Sequence, residues 1–340
     1  MELGIYTFGD LFPHPVTGEA PTFRQKLRDV VRLAKVADEV GLDVFGVGEH
    51  HRLDMAISSP AVVLAAIAEA TTRIKLSSAT TVLSTLDPVR VYEDFATLDL
   101  LSEERAEILV GRGSFTENFP LFGYELSDYD ALFDEKIDLL LKLRDEERVA
   151  WSGARRPSLQ DAEISPRTTR PIPVWIGVGG TPQSAARAGF LGLPMNIAIL
   201  GGPERFASFA RIHRAAAKEA GHAPPALAIS SHGHLADDSA AAKEEHWTLY
   251  SALMRKGLRN RFPPRPIPRE YHDMEAGPHG AIFAGDAKDA IAKILWEHSL
   301  FGHQRTLLQL DWGSMPFEKV RRSIEILGTE VAPVVRKALG

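Results

Sequence analysis

Four stretches of this chain carry side chains suited to chemistry, and each follows a short apolar run. The first is Glu49-His50-His51, after Val44 to Val47. An imidazole titrates near neutral pH, so either ring can act as a general base or hold a reactive intermediate by hydrogen bonding, beside a carboxylate. Consecutive strand residues point to opposite sides, so without a turn the three cannot all face one metal, and the helical two-histidine spacing of zinc proteases is absent. Metal ligation and supporting or helix-capping histidines are the alternatives. The second stretch is Gly111-Arg112-Gly113, a guanidinium able to pair with a phosphate through charge-assisted bonds, or to serve as an ordinary surface ion-pair partner. The third is Gly179-Gly180-Thr181-Pro182, where glycine amides stand beside a helix N-terminus. That arrangement favours an anion and lets backbone approach it closely, although a tight packing turn would read the same way. Together, the second and third stretches point to a phosphorylated cofactor. The fourth, His232-Gly233-His234, spaces two rings on one strand face, which a metal-dependent barrel hydrolase would use if other strand ends supplied ligands.

These residues need a frame that gathers them at one end. Eight apolar, β-branched runs alternate with helix-length segments: Leu3 to Tyr6, Val44 to Val47, Ile74 to Thr80, Ala106 to Val110, Val174 to Val178, Met195 to Leu200, Ala226 to Ser230 and Thr306 to Leu310. In Arg24 to Val40, for example, Leu27, Val30, Val31, Ala34, Ala37 and Val40 fall on one helical face. Ser59-Pro60, Asp87-Pro88, Thr181-Pro182 and Gly202-Pro203 each place a capping residue before a proline suited to the first helical position. Strands separated by helices must run parallel, and eight such units close most economically into a single-domain (β/α)₈ TIM barrel over residues 1–340; an open doubly wound sheet is the alternative. The chemistry-bearing residues then lie at the carboxyl ends of strands two, four, five and seven, where barrel active sites sit.

Two connections exceed a plain barrel loop. The first, Arg112 to Pro173, contains a helical stretch around Tyr129 to Arg144 and a segment rich in Arg, Ser and Pro. The second follows strand seven and includes Phe262-Pro263-Pro264-Arg265-Pro266-Ile267-Pro268-Arg269, whose prolines cannot sustain helix. Long loops at this end are either lids or solvated excursions. The basic cluster Arg255, Lys256, Arg259, Arg261, Arg265 and Arg269 beside the second loop is either a solvated face or an attractor of anions. Phe8, Phe115 and Trp312 are candidate walls of an apolar substrate pocket, or plain core.

Composition narrows the classes further. A net charge of −6 in 340 residues offers no basic footprint for nucleic acid. The absence of cysteine excludes disulfides, thiolate metal sites and a cysteine nucleophile, so redox chemistry requires a bound cofactor. No stretch reaches the roughly 18 apolar residues of a membrane span and the start has no signal-like pattern, so a cytoplasmic location is expected.

Three ordered blocks resemble the bacterial luciferase-like, flavin-dependent monooxygenases: Ala37-Asp38-Glu39-Val40-Gly41-Leu42-Asp43 leading into Glu49-His50-His51; Ala79-Thr80-Thr81-Val82-Leu83 through Asp87-Pro88-Val89-Arg90, Leu98 to Ser102 and Gly111-Arg112-Gly113; and Pro171 to Trp175 through Gly179-Gly180-Thr181-Pro182-Gln183-Ser184. The resemblance implies reduced FMN as cosubstrate. It places Arg112, Gly179, Gly180, Thr181 and Ser184 near the phosphate, Ala79 and Thr80 against the isoalloxazine with a non-proline cis peptide between them, and His50 at the oxygen chemistry with Glu49 or His51 orienting the local network. It further implies an oxygenation of a small organic substrate by O2 through a C4a-peroxyflavin, a separate flavin reductase, and a homodimer formed around the second and third helices. Thr80 and Thr81 depart from luciferase's smaller or apolar residues, so light emission and the aldehyde pocket are not implied. Within the same superfamily, F420-dependent hydride transfer and a non-catalytic flavin-binding subunit are the rival readings.

Overall fold

Parallel pairing runs unbroken around eight strands: β1 (Glu2–Thr7), β2 (Val44–Val47), β3 (Lys75–Ser78), β4 (Ala106–Gly111), β5 (Val174–Val178), β6 (Met195–Ala198), β7 (Leu227–Leu235) and β8 (Arg305–Gln309). Each pairs with the next, and β8 returns to β1 with Leu3 opposite Thr306, so the sheet closes. The barrel expectation is met and the open sheet is excluded. The computed structural model describes residues 1–257 and 263–340. Among the described residues no helix is long and apolar enough to cross a membrane.

The helices form because their apolar residues repeat at helical spacing and are buried against the barrel's outer face. In α1 (Phe23–Glu39), Val30, Leu33, Ala34 and Ala37 turn inward, and Thr22 with Gln25 forms a reciprocal capping box. Of the four proposed caps, only Asp87 accepts from a backbone amide of its own helix, that of Val89 at 2.9 Å. Ser59 and Thr181 make no side-chain cap bond, and Gly202 opens a short 3₁₀ turn rather than an α-helix.

Inside the barrel, the lower half is closed by charge. Arg305 on β8 donates to both oxygens of Glu107 on β4 at 2.6 and 3.0 Å and lies 4.3 Å over the Trp175 ring. Above it, Leu109, Trp175 and Ala228 form a small apolar layer on which Ala79 packs.

Both insertions stand at the mouth and carry more secondary structure than their loop-like sequences indicated. The first holds the expected helix, Tyr129–Asp145, and then an antiparallel hairpin, Arg148–Trp151 with Leu159–Glu163. The second holds helix Ser239–Lys256, the proline segment, helix Arg269–Glu275, and a strand, Phe283–Gly285, that pairs with the last residues of β7. Tyr250, Leu253, Met254, Ala276, Ile282 and Ala284 of this insertion pack against Phe12 and Met55 in a second core of their own. The insertion is therefore a packed cap rather than a solvated excursion. Arg259, Arg261 and Phe262 lie outside the described residues.

Candidate active site

The mouth is organised around the peptide that follows β3. Ala79-Thr80 is a non-proline cis peptide, as the resemblance implied. It is held on one side by β2: the Ala79 amide donates to the Val47 carbonyl at 2.7 Å, and the Glu49 amide to the Thr80 carbonyl at 3.1 Å. Glycines on the flanking strands make the room. A Cβ on Gly48 would stand 2.4 Å from the Phe8 ring and 2.8 Å from the Ala79 carbonyl, and one on Gly177 would stand 2.9 Å from Thr80 Cγ2. Thr80 thus fills the space over β5 that glycine leaves open, beneath the mouth.

Strand alternation splits the Glu49-His50-His51 run. Glu49 and His51 share a face: Glu49 Oε1 lies 2.9 Å from His51 Nε2, and Oε2 accepts from the Val82 amide at 2.9 Å. His50 points the other way, between Phe8 at 4.6 Å and Phe115 at 4.9 Å between ring centroids. Its Nδ1 is buried and has no hydrogen-bond partner among the described residues. Within the local network that Glu49 or His51 was expected to orient, the Glu49 carboxylate bonds His51 and the chain after β3, while aromatic rings pack on both sides of His50. Burial, with Arg52 adding repulsion, pushes the His50 imidazole down to about 3, so it is neutral across the physiological range.

Arg112, leaving β4, reaches across to the helix after β5. One terminal nitrogen donates to Thr181 Oγ1 at 3.1 Å and to Ser184 Oγ at 2.9 Å; the other pairs with the exposed Asp130 carboxylate, and Tyr129 lies under the guanidinium at 5.0 Å. The hydroxyls of Thr181 and Ser184 also touch at 2.8 Å. Beside them Gly179 and Gly180 are exposed, and a Cβ on either would meet nothing within 4 Å. Packing therefore does not demand glycine there. Open backbone amides, two hydroxyls and a guanidinium converge on a space of phosphate chemistry, with Asp130 occupying the guanidinium's anion position. Arg112, Thr181, Ser184, Gly179 and Gly180 are brought together; Ala79 and Thr80 both follow β3, one strand from Arg112 at the end of β4 and two from the glycine turn after β5.

The two rings of His232-Gly233-His234 diverge. His234 Nε2 meets Glu245 at 2.7 Å and its Nδ1 meets Ser323 Oγ at 3.0 Å, whereas His232 turns to His246 and stacks on Trp312 at 4.3 Å. They cannot share a metal, and no cluster of three metal-ligating side chains is present among the described residues. Phe8, Phe115 and Trp312 are partly buried and pack against the second core. Of the basic cluster, Arg269 is committed to Glu244 and Asp273, at 2.6 and 2.7 Å, and so does not serve as a free attractor.

Sequence reading missed a carboxylate pair. Asp10 after β1 accepts from the Gly313 amide at 2.8 Å, and Asp311 after β8 accepts from Thr7 Oγ1 at 2.5 Å, each leaving one oxygen buried and unpartnered. Burial and then Asp311 raise Asp10 well above the usual carboxylate range. Only the closure of β8 onto β1 brings these residues together, and no local signal marks that.

Family comparison makes the class of this barrel definite. Residues 1–305 match the family model for luciferase-like monooxygenases, and the chain belongs to that family. N-acetyl-S-alkylcysteine monooxygenase of Bacillus subtilis is 32% identical over 67% of this chain and 66% of its own. The F420-dependent glucose-6-phosphate dehydrogenase of Amycolatopsis mediterranei is 33% identical, over 48% of this chain and 51% of its own. The crystal structure of monooxygenase RslO1 from Streptomyces bottropensis superposes with a TM-score of 0.84 at 25% identity, covering 98% of this chain and 99% of that one.

Proposed function

We propose that the chain is an FMN-dependent monooxygenase that takes reduced FMN from a separate reductase and uses O2 to oxidise a small organic substrate. The observation that carries the reading is the convergence of Arg112, Thr181, Ser184 and the open Gly179-Gly180 backbone, a donor set suited to a terminal phosphate. When bound, reduced FMN supplies two electrons and the means of activating dioxygen. The chain's residues do the rest. Arg112 and the two hydroxyls hold the phosphate, and the Ala79-Thr80 peptide supports the ring between β2 and β5. Phe8 and Phe115 exclude water from the His50 ring, which offers one buried nitrogen to whatever stands beside it. A ring held this far from its ordinary titration range is a poor resting base and a good neutral hydrogen-bond partner, which favours the second of its two expected roles. The B. subtilis relative and RslO1, both named monooxygenases, point the same way. The A. mediterranei relative keeps F420-dependent hydride transfer as the second reading, since F420 also presents an anionic tail. Val62, Leu100 and Leu101, exposed at 69, 45 and 58% on helices Pro60–Ala70 and Pro88–Leu101, support a homodimer built on those helices.

Equilibrium dialysis of wild type and Arg112→Ala against FMN, riboflavin and F420 tests this. Losing the charged donor is worth about 1.5–3 kcal/mol, or roughly 10- to 150-fold in FMN affinity, with riboflavin binding unchanged. Equal FMN affinities would remove the phosphate role, and F420 binding well above FMN would select the second reading. Reoxidation of reduced FMN by O2, followed by stopped flow, is then slower on the protein than free in solution.

A further inference from the structure

Two histidines stand at different edges of the apolar cluster over the mouth: His50 against Phe8 and Phe115, and His232 against Trp312. His232 begins a row of rings that the proposed function does not use. Its Nδ1 lies 3.3 Å from Nε2 of His246, whose Nδ1 lies 3.0 Å from Nε2 of His272, whose Nδ1 lies 3.4 Å from Asp273 Oδ1. The three imidazoles are 7, 0 and 0% exposed, yet the Asp273 carboxylate is half in solvent and paired with Arg269. Successive ring planes differ by 10° and 26°.

One proton arrangement satisfies the row. The carboxylate can only accept, so His272 donates from Nδ1 and accepts at Nε2; His246 and His232 must then do the same, leaving His232 Nε2 as the free acceptor at the mouth. Burial keeps all three rings neutral, with Lys293 adding to the effect on His232 and His246. Tyr250 and Trp247 flank the row, and Asp273 and Glu244 oppose burial at the His272 end while Arg269, which pairs with both, reinforces it. The pattern is the same at every link, which a set of separately satisfied core histidines does not require.

We infer that His232, His246 and His272 form a proton relay between the barrel mouth and solvent at Asp273. The inference deepens the flavin reading and rests on it for its use. A proton taken at His232 Nε2 moves each Nδ1 proton one ring outward and leaves all three rings protonated on Nε2; passage inward resets them without ring rotation. This suits the overall reaction, FMNH2 + O2 + S → FMN + SO + H2O. The O–O bond breaks, one oxygen joins S, and the other leaves as water with the cofactor's two hydrogens. Reduced FMN and S each give two electrons. No net proton is exchanged, and the row gives a proton released at one stage a path out to Asp273 and back for a later one.

The test has two arms. In histidine-¹⁵N-labelled protein without flavin, ring NMR at pH 7 is expected to show His232, His246 and His272 neutral with the proton on Nδ1; an Nε2 tautomer or an imidazolium in any of them overturns the relay. In the second arm, reduced FMN and O2 alone are mixed with protein, the balanced reaction being FMNH2 + O2 → FMN + H2O2. His246→Gln keeps both hydrogen bonds but cannot pass a proton, and His272→Ala opens the row near the surface. Both are expected to slow reoxidation about tenfold, less than the roughly 10²-fold of a direct general acid or base, with FMN affinity unchanged. Added imidazole restores His272→Ala, and the solvent-deuterium effect falls in His246→Gln. Wild-type rates and isotope effects in His246→Gln, or no rescue of His272→Ala, refute the relay. If wild type binds no reduced FMN, the flavin reading falls while the tautomer pattern still decides the relay.

Discussion

Alanine at Gly179 and Gly180 should strengthen the fold while weakening the site. Neither glycine has a left-handed backbone, and an added Cβ on either meets nothing within 4 Å, so the folded chain takes both methyl groups without strain. The unfolded chain loses freedom at each, which stabilises by about 0.4–1 kcal/mol per substitution. For a chain of this size the double variant should melt about 1–3 °C higher. Binding moves the other way. A phosphate oxygen accepts charge-assisted bonds from backbone amides at about 2.7–2.9 Å, and a methyl group in that space holds it off. Losing one such bond costs about 1.5–3 kcal/mol, or roughly 10- to 150-fold in FMN affinity, while riboflavin, which lacks the phosphate, is unaffected. Differential scanning calorimetry of the flavin-free protein and equilibrium dialysis with both flavins give the two readings. A raised melting point with unchanged FMN affinity would place the phosphate elsewhere. A lowered melting point would show that the turn needs glycine for packing, the alternative that the sequence left open.

Two further outcomes follow from the same mouth. Burial holds His50 at about 3 in the folded protein against 6.5 unfolded, so the unfolded chain takes up a proton that the native state refuses as pH falls below 6.5; relative to His50→Asn, wild type should lose about 2 kcal/mol between pH 7.5 and pH 5, read from guanidinium midpoints, and parallel pH profiles would contradict the neutral ring. Gly48→Ala would set a Cβ 2.4 Å from the Phe8 ring and 2.8 Å from the Ala79 carbonyl, costing about 1–3 kcal/mol and displacing the ring that packs on His50; an unchanged midpoint would deny that close approach.

What could be read from sequence divides by how local its cause is. Each barrel strand is a short apolar run stopped by glycine, proline or polar residues, and its burial on both faces makes that run visible in isolation, so all eight strands appear where expected, within two residues at their ends except that β7 runs five residues further, to Leu235. The alternation rule also held where it was applied. Glu49 and His51, two apart, meet on one face, and His50 between them turns to the other, toward Phe8 and Phe115. Thr181 was read as a helix cap by its neighbours in sequence, but its hydroxyl bonds Ser184 and Arg112, and the latter arrives from another strand. The prolines of the second insertion truthfully forbid helix, yet say nothing of the helices on either side that pack over the mouth. His232, His246 and His272 lie on a strand and two separate helices, so no single strand or helix period relates them. Only the docking of Ser239–Lys256 and Arg269–Glu275 on the end of β7 lines them up, so a relay of this kind is invisible until the cap is folded, and a variant that undocks the cap should lose the relay before it loses the barrel.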